Sequence, residues 1–188
     1  YFTSNFQEQW EQALHDGLAA EETFSTESVN ISSEFNAQVS EFIGNTASTD
    51  GKELVIRAHS TVFDGRYSNN GWLQELPDPM TKITWDNVAL MSKKTADELG
   101  VEQAGLGKAE VEMVAITVDG TTVELPAWVL PGHADDSITV TVGYGREGIG
   151  RVANKAGFDT YPLRTSSNMY FSQDISIEKT GEMYEVAC

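Results

Sequence analysis

The spacing of apolar residues changes character near residue 50. Before it, Phe6, Trp10 and Leu14 recur at i, i+4 and i+8 behind Ser4-Asn-Phe-Gln7, a capping-box pattern, and the run stops at Gly17. This predicts a helix over 5–17. Phe35, Val39 and Phe42 share one face of a second helix over 33–43, with Gly44 as its C′ residue. The stretches 25–33 and 44–51, rich in Ser, Thr, Asn and Asp, read as loops.

After Glu53 the period shortens toward two. Leu54–Ala58 is a short strand, and residues 65–79 form a long loop around Asn69-Asn-Gly71. Helical spacing returns over 93–99, where Ser92 is the N-cap, Ala96 and Leu99 face inward and Gly100 ends the helix. Two β runs, 110–118 and 121–130, flank Asp119-Gly120, the pair that favours a type I′ hairpin turn. Val111, Met113 and Ala115 alternate, whereas Ile116 and Val118 continue in the opposite phase, which predicts a bulge or a change of face. Ile138, Val140 and Val142 mark another strand, and Met183–Ala187 is strand-like. Together these runs predict a mostly antiparallel or mixed closed barrel with its helices outside, and two regions. Residues 1–50 form a helical segment packing on the barrel, and residues 51–188 form the barrel itself.

Composition narrows the partners. The 188 residues carry 12 Lys plus Arg against 29 Asp plus Glu, a net charge of -17, the wrong sign for holding nucleic acid. Hydrophobic residues reach 40%, enough for one sizeable core. No apolar run approaches the roughly 18 residues that span a bilayer, so direct membrane insertion is not expected. Cys188 is the single cysteine, which excludes a disulfide framework or a Cys-built cluster within the chain. The opening at Tyr1 and the ending at Cys188 read as cuts in a longer polypeptide.

Chemistry-bearing patterns are sparse. Gly143-Tyr-Gly145-Arg-Glu-Gly148 fits G-x-G-x-x-G, but a hairpin precedes it where a dinucleotide fold needs βαβ units, so a glycine-rich turn at a barrel end is expected. His15, His59 and His133 have no metal-ligand spacing, and Asp135-Asp136 reads as a solvated tip. There is no nucleophile elbow, catalytic triad or P-loop, hence no catalytic residue and no metal ligand to nominate. The segment Asn69–Pro79 differs, combining side-chain amides, a Trp and two prolines. Amides suit either recognition of a heterocycle edge or the tying of a long loop.

The same segment carries a resemblance. Asn69-Asn-Gly-Trp-Leu-Gln-Glu-Leu-Pro-Asp-Pro-Met-Thr-Lys-Ile-Thr-Trp-Asp-Asn87 resembles the C-terminal domain of the molybdopterin oxidoreductase superfamily, and Ala89–Gly100 resembles its strand and short helix. Pro131-Gly-His-Ala-Asp135 and Val142-Gly-Tyr-Gly-Arg146 match later turns. The wording is most similar to the molybdopterin-oxidoreductase-like subunit of bacterial alternative complex III, a respiratory quinol-oxidising assembly, with coverage from about Leu54 to Leu163.

The resemblance implies a double-psi β-barrel acting as one domain of a large iron–sulfur subunit. In cofactor-bearing relatives this domain helps hold molybdopterin guanine dinucleotide, and the corresponding positions here, pterin-facing or vestigial, are Asn69, Asn70, Trp72, Gln74, His133 and Tyr144. No cofactor is expected in this stretch itself, and iron–sulfur clusters are expected elsewhere in the parent chain. Partners would be other domains of that chain and other subunits of a membrane-bound complex, at the periplasmic face of the bacterial cytoplasmic membrane. The alternatives are the pterin-binding domain of a working molybdoenzyme and a secreted, non-enzymatic binding module. The loop 69–79 is expected at the barrel mouth, with Asn69 and Asn70 bonded to loop backbone and with Trp72 and Leu73 buried against the wall.

Overall fold

The computed structural model describes residues 5–18, 26–45, 51–102, 110–148, 150–166 and 168–188. The chain divides into two compact units, Tyr1–Ala47 and Ser48–Cys188.

The first unit holds helices α1 (Phe6–Asp16) and α2 (Phe35–Asn45). Phe6 and Trp10 stack with ring centroids 6.1 Å apart on the predicted face of α1. Gly17 takes the left-handed conformation expected of a C′ residue, but the start differs from expectation. Asn5 sits at the N-cap with φ 61° and caps nothing, and Ser4 lies outside the described residues. Gly44 does not end α2, which continues to Asn45.

The second unit is mainly β. Six strands, β1 (Lys52–Ala58), β2 (Ala89–Met91), β3 (Glu110–Val118), β4 (Thr121–Val129), β5 (Ser137–Val142) and β6 (Phe171–Glu185), close in the order β1-β5-β2-β4-β3-β6. The pairs β1·β5 and β2·β4 are parallel and the rest antiparallel. Strand β5 therefore lies between the consecutive strands β1 and β2, and β2 lies between β4 and β5. Each of these two connections passes over the strand that the other delivers.

Alternation explains the closure. Leu54 and Ile56, Ala89 and Met91, Leu125, Ala127 and Val129, and Ile138, Val140 and Val142 point into one buried cluster, so every inner face is apolar and the ring fills without a lumen. Their neighbours of opposite parity, Leu90 and Trp128, pack in a second cluster with Ile83, Val88, Val111 and Val186. The expected break in β3 occurs two residues earlier than the sequence suggests. Val111 belongs to the second cluster, whereas Val114, Ile116 and Val118 face the interior. The register against β6 shifts between Glu112 and Val114, and the extra residues of the irregularity are carried by β6. Asp119 (φ 48°) and Gly120 (φ 80°) are both left-handed, as a type I′ turn requires.

Two further helices belong to this unit. Helix α4 (Lys93–Leu99) follows its caps: Ser92 Oγ accepts from Thr95 N at 3.1 Å, Ala96 is buried in the barrel cluster, and Gly100 N–H returns to the last carbonyls. Helix α3 (Gly71–Glu75) is a single turn where the sequence predicts loop. Ile149 and Ser167 lie outside the described residues.

Candidate functional site

The connection from β1 to β2, residues 59–88, crosses the end of the barrel where β1 and β5 finish. Its polar side chains make the path possible. Asn69 Oδ1 accepts from the backbone N–H of Val152 (3.0 Å) and Ala153 (3.3 Å), drawing residues 150–153 against the loop. A Cβ at Gly150 would fall 2.2 Å from the same oxygen, so the close approach requires glycine there. Asn70 is the N-cap of α3, its Oδ1 accepting from Trp72 N at 3.1 Å. Gln74, 1% exposed, donates from Nε2 to Ser68 O at 2.8 Å. Asp78 Oδ1 accepts from the N–H groups of Met80 (2.9 Å) and Thr81 (3.0 Å) and closes the turn after Pro77.

Asn87 is the buried anchor that closes the resemblance segment, and it was not among the nominated site residues. Its Nδ2 donates to Thr141 O (2.9 Å) and Phe158 O (3.0 Å), while its Oδ1 accepts from Phe158 N (2.8 Å). One amide thus ties the crossover, the end of β5 and the 150s segment together. The signal for it was present in the sequence, because a lone Asn immediately before a fully apolar strand has to satisfy its amide internally.

Tyr144 follows β5 and is 2% exposed, its ring edge-on to His59 at 4.9 Å. Burial pushes its phenol up to about 12. His59 is buried as well, and burial pulls its imidazole below the usual histidine range. Geometry agrees, since His59 Nδ1 accepts from Thr61 N at 3.2 Å and is therefore held unprotonated. The glycine-rich segment is a turn after β5, as expected: Gly145 has φ 73°, and a Cβ there would lie 2.1 Å from Asp159 N.

The remaining nominated residues do not join this group. Trp72 is 87% exposed, and the expectation that it buries against the barrel wall is corrected. Asn70 starts a helical turn here, and that turn displays the ring outward. His133 precedes β5, at the opposite end of that strand from Tyr144, and its Nε2 lies 2.9 Å from Thr139 Oγ1. Asp135-Asp136 is solvent-exposed, as a solvated tip should be, and it is also engaged: Ser92 Oγ donates to Asp135 (2.7 Å), and Lys52 lies 3.2 Å from Asp136.

Two open troughs lie beside the crossover, of about 520 Å³ and about 310 Å³, and they share Asp64, Arg66 and Tyr161. Arg66 pairs with Asp64 at 2.6 Å and holds its carboxyl down at about 2. Tyr161 OH donates to Asp64 O at 2.6 Å. Among the described residues no three His, Cys, Asp or Glu side chains converge as metal ligands.

A pterin dinucleotide needs donors and acceptors that face one space. Asn69 Oδ1, Asn70 Oδ1 and Gln74 Nε2 bond this chain's own backbone, with Gln74 Oε1 buried and unpartnered; Trp72 points outward, Tyr144 is buried edge-on to His59, and His133 lies at the far end of β5. The six nominated residues do not fit that group as a cradle.

What these features define is a closed, mainly β barrel, of six strands among the described residues, whose long crossover is tied down in part by its own amides. No family model matches the chain, and no curated protein matches it. Among solved structures, acetylene hydratase from Pelobacter acetylenicus is a distant neighbour, with a TM-score of 0.49 and 15% identity over 90% of this chain and 22% of the hydratase. The chain spans about a fifth of that protein's length, and a likeness this weak transfers neither fold nor activity.

Proposed function

We propose that the chain is a double-psi β-barrel domain of a molybdopterin-oxidoreductase-like subunit, serving as a cofactor-free scaffold in a respiratory quinol-oxidising electron-transfer complex. Three things support the reading. The sequence wording of 69–87 and 142–146 resembles that family. The interlocked connections, β1 to β2 over β5 and β4 to β5 over β2, are the arrangement that two intertwined psi loops require. The observation that carries the scaffold role is the use of the amides. Asn69 Oδ1, Asn70 Oδ1 and Gln74 Nε2 are each spent on backbone of the crossover and the segment it meets, while the buried Gln74 Oε1 is left without a partner.

On this reading the domain has no turnover of its own, and electrons pass through clusters elsewhere in the parent chain. Its partners are neighbouring domains and subunits of a membrane-bound complex on the periplasmic face. The test is analysis of the full-length subunit for molybdenum by mass spectrometry and for pterin by fluorescence after oxidation. Neither is expected above trace level. Stoichiometric molybdenum and pterin would replace the scaffold with the pterin-binding alternative.

A further inference from the structure

The end of the barrel where β1 and β5 finish has a surface unlike the rest of this acidic chain. Four of the five arginines, Arg57, Arg66, Arg146 and Arg164, line the two troughs there. The smaller trough is lined by Arg57, Arg66 and Arg164, by no lysine and by one carboxylate, Asp64, which Arg66 already occupies. Arg57 is exposed and its side chain makes no hydrogen bond or ion pair among the described residues; it also borders a small neighbouring cavity that holds Asp78 and Asp86. Ile56 and Val142 form an apolar floor.

Two of these guanidinium groups lie over aromatic rings. Arg66 lies over Phe63 at 5.2 Å, and Arg164 lies over Tyr161 (5.5 Å) and Tyr170 (5.2 Å). The rings are not spent in the core, for Phe63 is 45%, Tyr161 39% and Tyr170 66% exposed. Phe63 is held at φ 59°, a left-handed conformation that bulky residues seldom adopt. The fold thus maintains strain where it presents an aromatic ring to solvent beside an arginine.

We propose that this trough docks an acidic polypeptide segment of a partner protein, with carboxylates on Arg57 and Arg164 and an aromatic or large aliphatic anchor among Phe63, Tyr161 and Tyr170. Arginine with tyrosine and phenylalanine, without lysine, is the composition of interface centres. Arg164 is held by two rings and by its Nε bond to Met169 O, so a carboxylate meets its remaining N–H groups at low entropic cost, and Arg57 supplies a second guanidinium whose side chain is unpaired. Openness selects a polypeptide over a small molecule, since small-ligand sites enclose most of their ligand and these rings stay substantially exposed. With -17 on the whole chain, the long-range field repels an acidic segment, so recognition comes from contacts made inside the trough and should strengthen with added salt at low ionic strength. The inference does not depend on the molybdopterin-family reading.

The test measures binding of the chain to a fluorescent heptapeptide with a central phenylalanine flanked by glutamates. One control peptide has lysines for the glutamates and another has alanine for the phenylalanine. The acidic aromatic peptide should bind at least about tenfold tighter than either control, and Arg57→Glu and Arg164→Ala should each weaken it about tenfold. Arg151→Ala, outside both troughs, should leave it unchanged. Arg57 is exposed, so its variant tests the idea even if Arg164→Ala unfolds. Equal affinity for the three peptides, or binding indifferent to Arg57, would overturn the proposal. Displacement of the peptide by millimolar phosphate or benzoate would do so as well, since it would make the trough a small-anion site.

Discussion

The two ends of the barrel handle their cations in opposite ways. At the end where β1 and β5 begin the cations are lysines, and each is engaged by a carboxylate. Lys52 lies 3.0 Å from Glu98 and 3.2 Å from Asp136, Lys94 is within 3.8 Å of Glu98, Asp135 and Asp136, and Lys93 pairs with Asp97. These contacts join the start of β1, helix α4 and the turn before β5. At the end where β1 and β5 finish, arginines line the open troughs, and two of them, Arg66 and Arg164, lie over aromatic rings. A flexible ammonium suits a network of several half-exposed carboxylates, whereas a planar guanidinium suits stacking and presentation. One end consolidates the fold and the other displays a surface.

The largest effect should fall on what the two ends share. Ile138 is fully buried in the interior and sits on β5, between β1 and β2. Ile138→Ala should cost about 2–5 kcal/mol in denaturant unfolding. Hydrogen exchange should quicken at the bonded amides of Ile56 and Ala96 alike; loss of protection at one end only would show that the ends unfold separately and would break the comparison.

Glycine substitutions separate the ends next. Gly145 (φ 73°) and Gly100 (φ 70°) have nearly the same backbone conformation, so alanine strains both alike. Space differs: a Cβ at 145 would lie 2.1 Å from Asp159 N, while at 100 it meets nothing within 4 Å. Gly100→Ala should cost about 1 kcal/mol, and Gly145→Ala about 1–3 kcal/mol more. Equal melting temperatures for the two variants would mean that the arginine end yields freely.

A titration sharpens the contrast in charge. Arg66 lowers Asp64 to about 2 from an ordinary 3.8, chiefly by side-chain hydrogen bonding. A depressed folded value means that this pair's contribution is fully present above about pH 3.8 and fades as pH falls through about 2. Asp136 at the lysine end shifts the same way, first through Lys52 and then Lys94. Carboxyl NMR should find Asp64 titrating near 2, and Arg66→Ala should return it toward 3.8. Asp64 titrating in the ordinary range in the parent protein would dissolve the pair on which the trough's charge balance rests.

Most of the barrel was legible in the sequence, because local rules and the fold agree there. The I′ turn at Asp119-Gly120, the caps of α4 and the alternation of Ile138, Val140 and Val142 each express one local preference. Strand β6 was visible only at its end. Its 15 residues include Lys179, Thr180 and Gly181 at an irregularity, and only Ile175 and Ile177 reach the interior cluster. Its pairing is long-range, and no single-strand pattern reveals it. The site was read less well for a related reason. Asn69 and Asn70 were identified as loop-tying residues, and Asn69 does bond residues 83 and 84 positions away. The arginine end joins residues 57, 66, 146 and 164, which share no motif, and only closure of the ring assembles them.

The smallest effect should come from the most conspicuous residue of the crossover. Trp72 is large and apolar, and a Trp in a loop invites the expectation of an anchor worth several kcal/mol. Its ring is 87% exposed, so truncation creates no cavity and removes little packing. The contact its position does make, Trp72 N–H to Asn70 Oδ1 at 3.1 Å, is a backbone bond that alanine retains. Trp72→Ala should therefore change stability by no more than about 0.5 kcal/mol. Asn69→Ala, by contrast, strips the acceptor from two backbone N–H groups and should cost about 1–3 kcal/mol. Chemical denaturation of the two variants side by side tests the order. If Trp72→Ala proves the more damaging, the ring is covered in solution, and the crossover is held by apolar packing instead of by its amides.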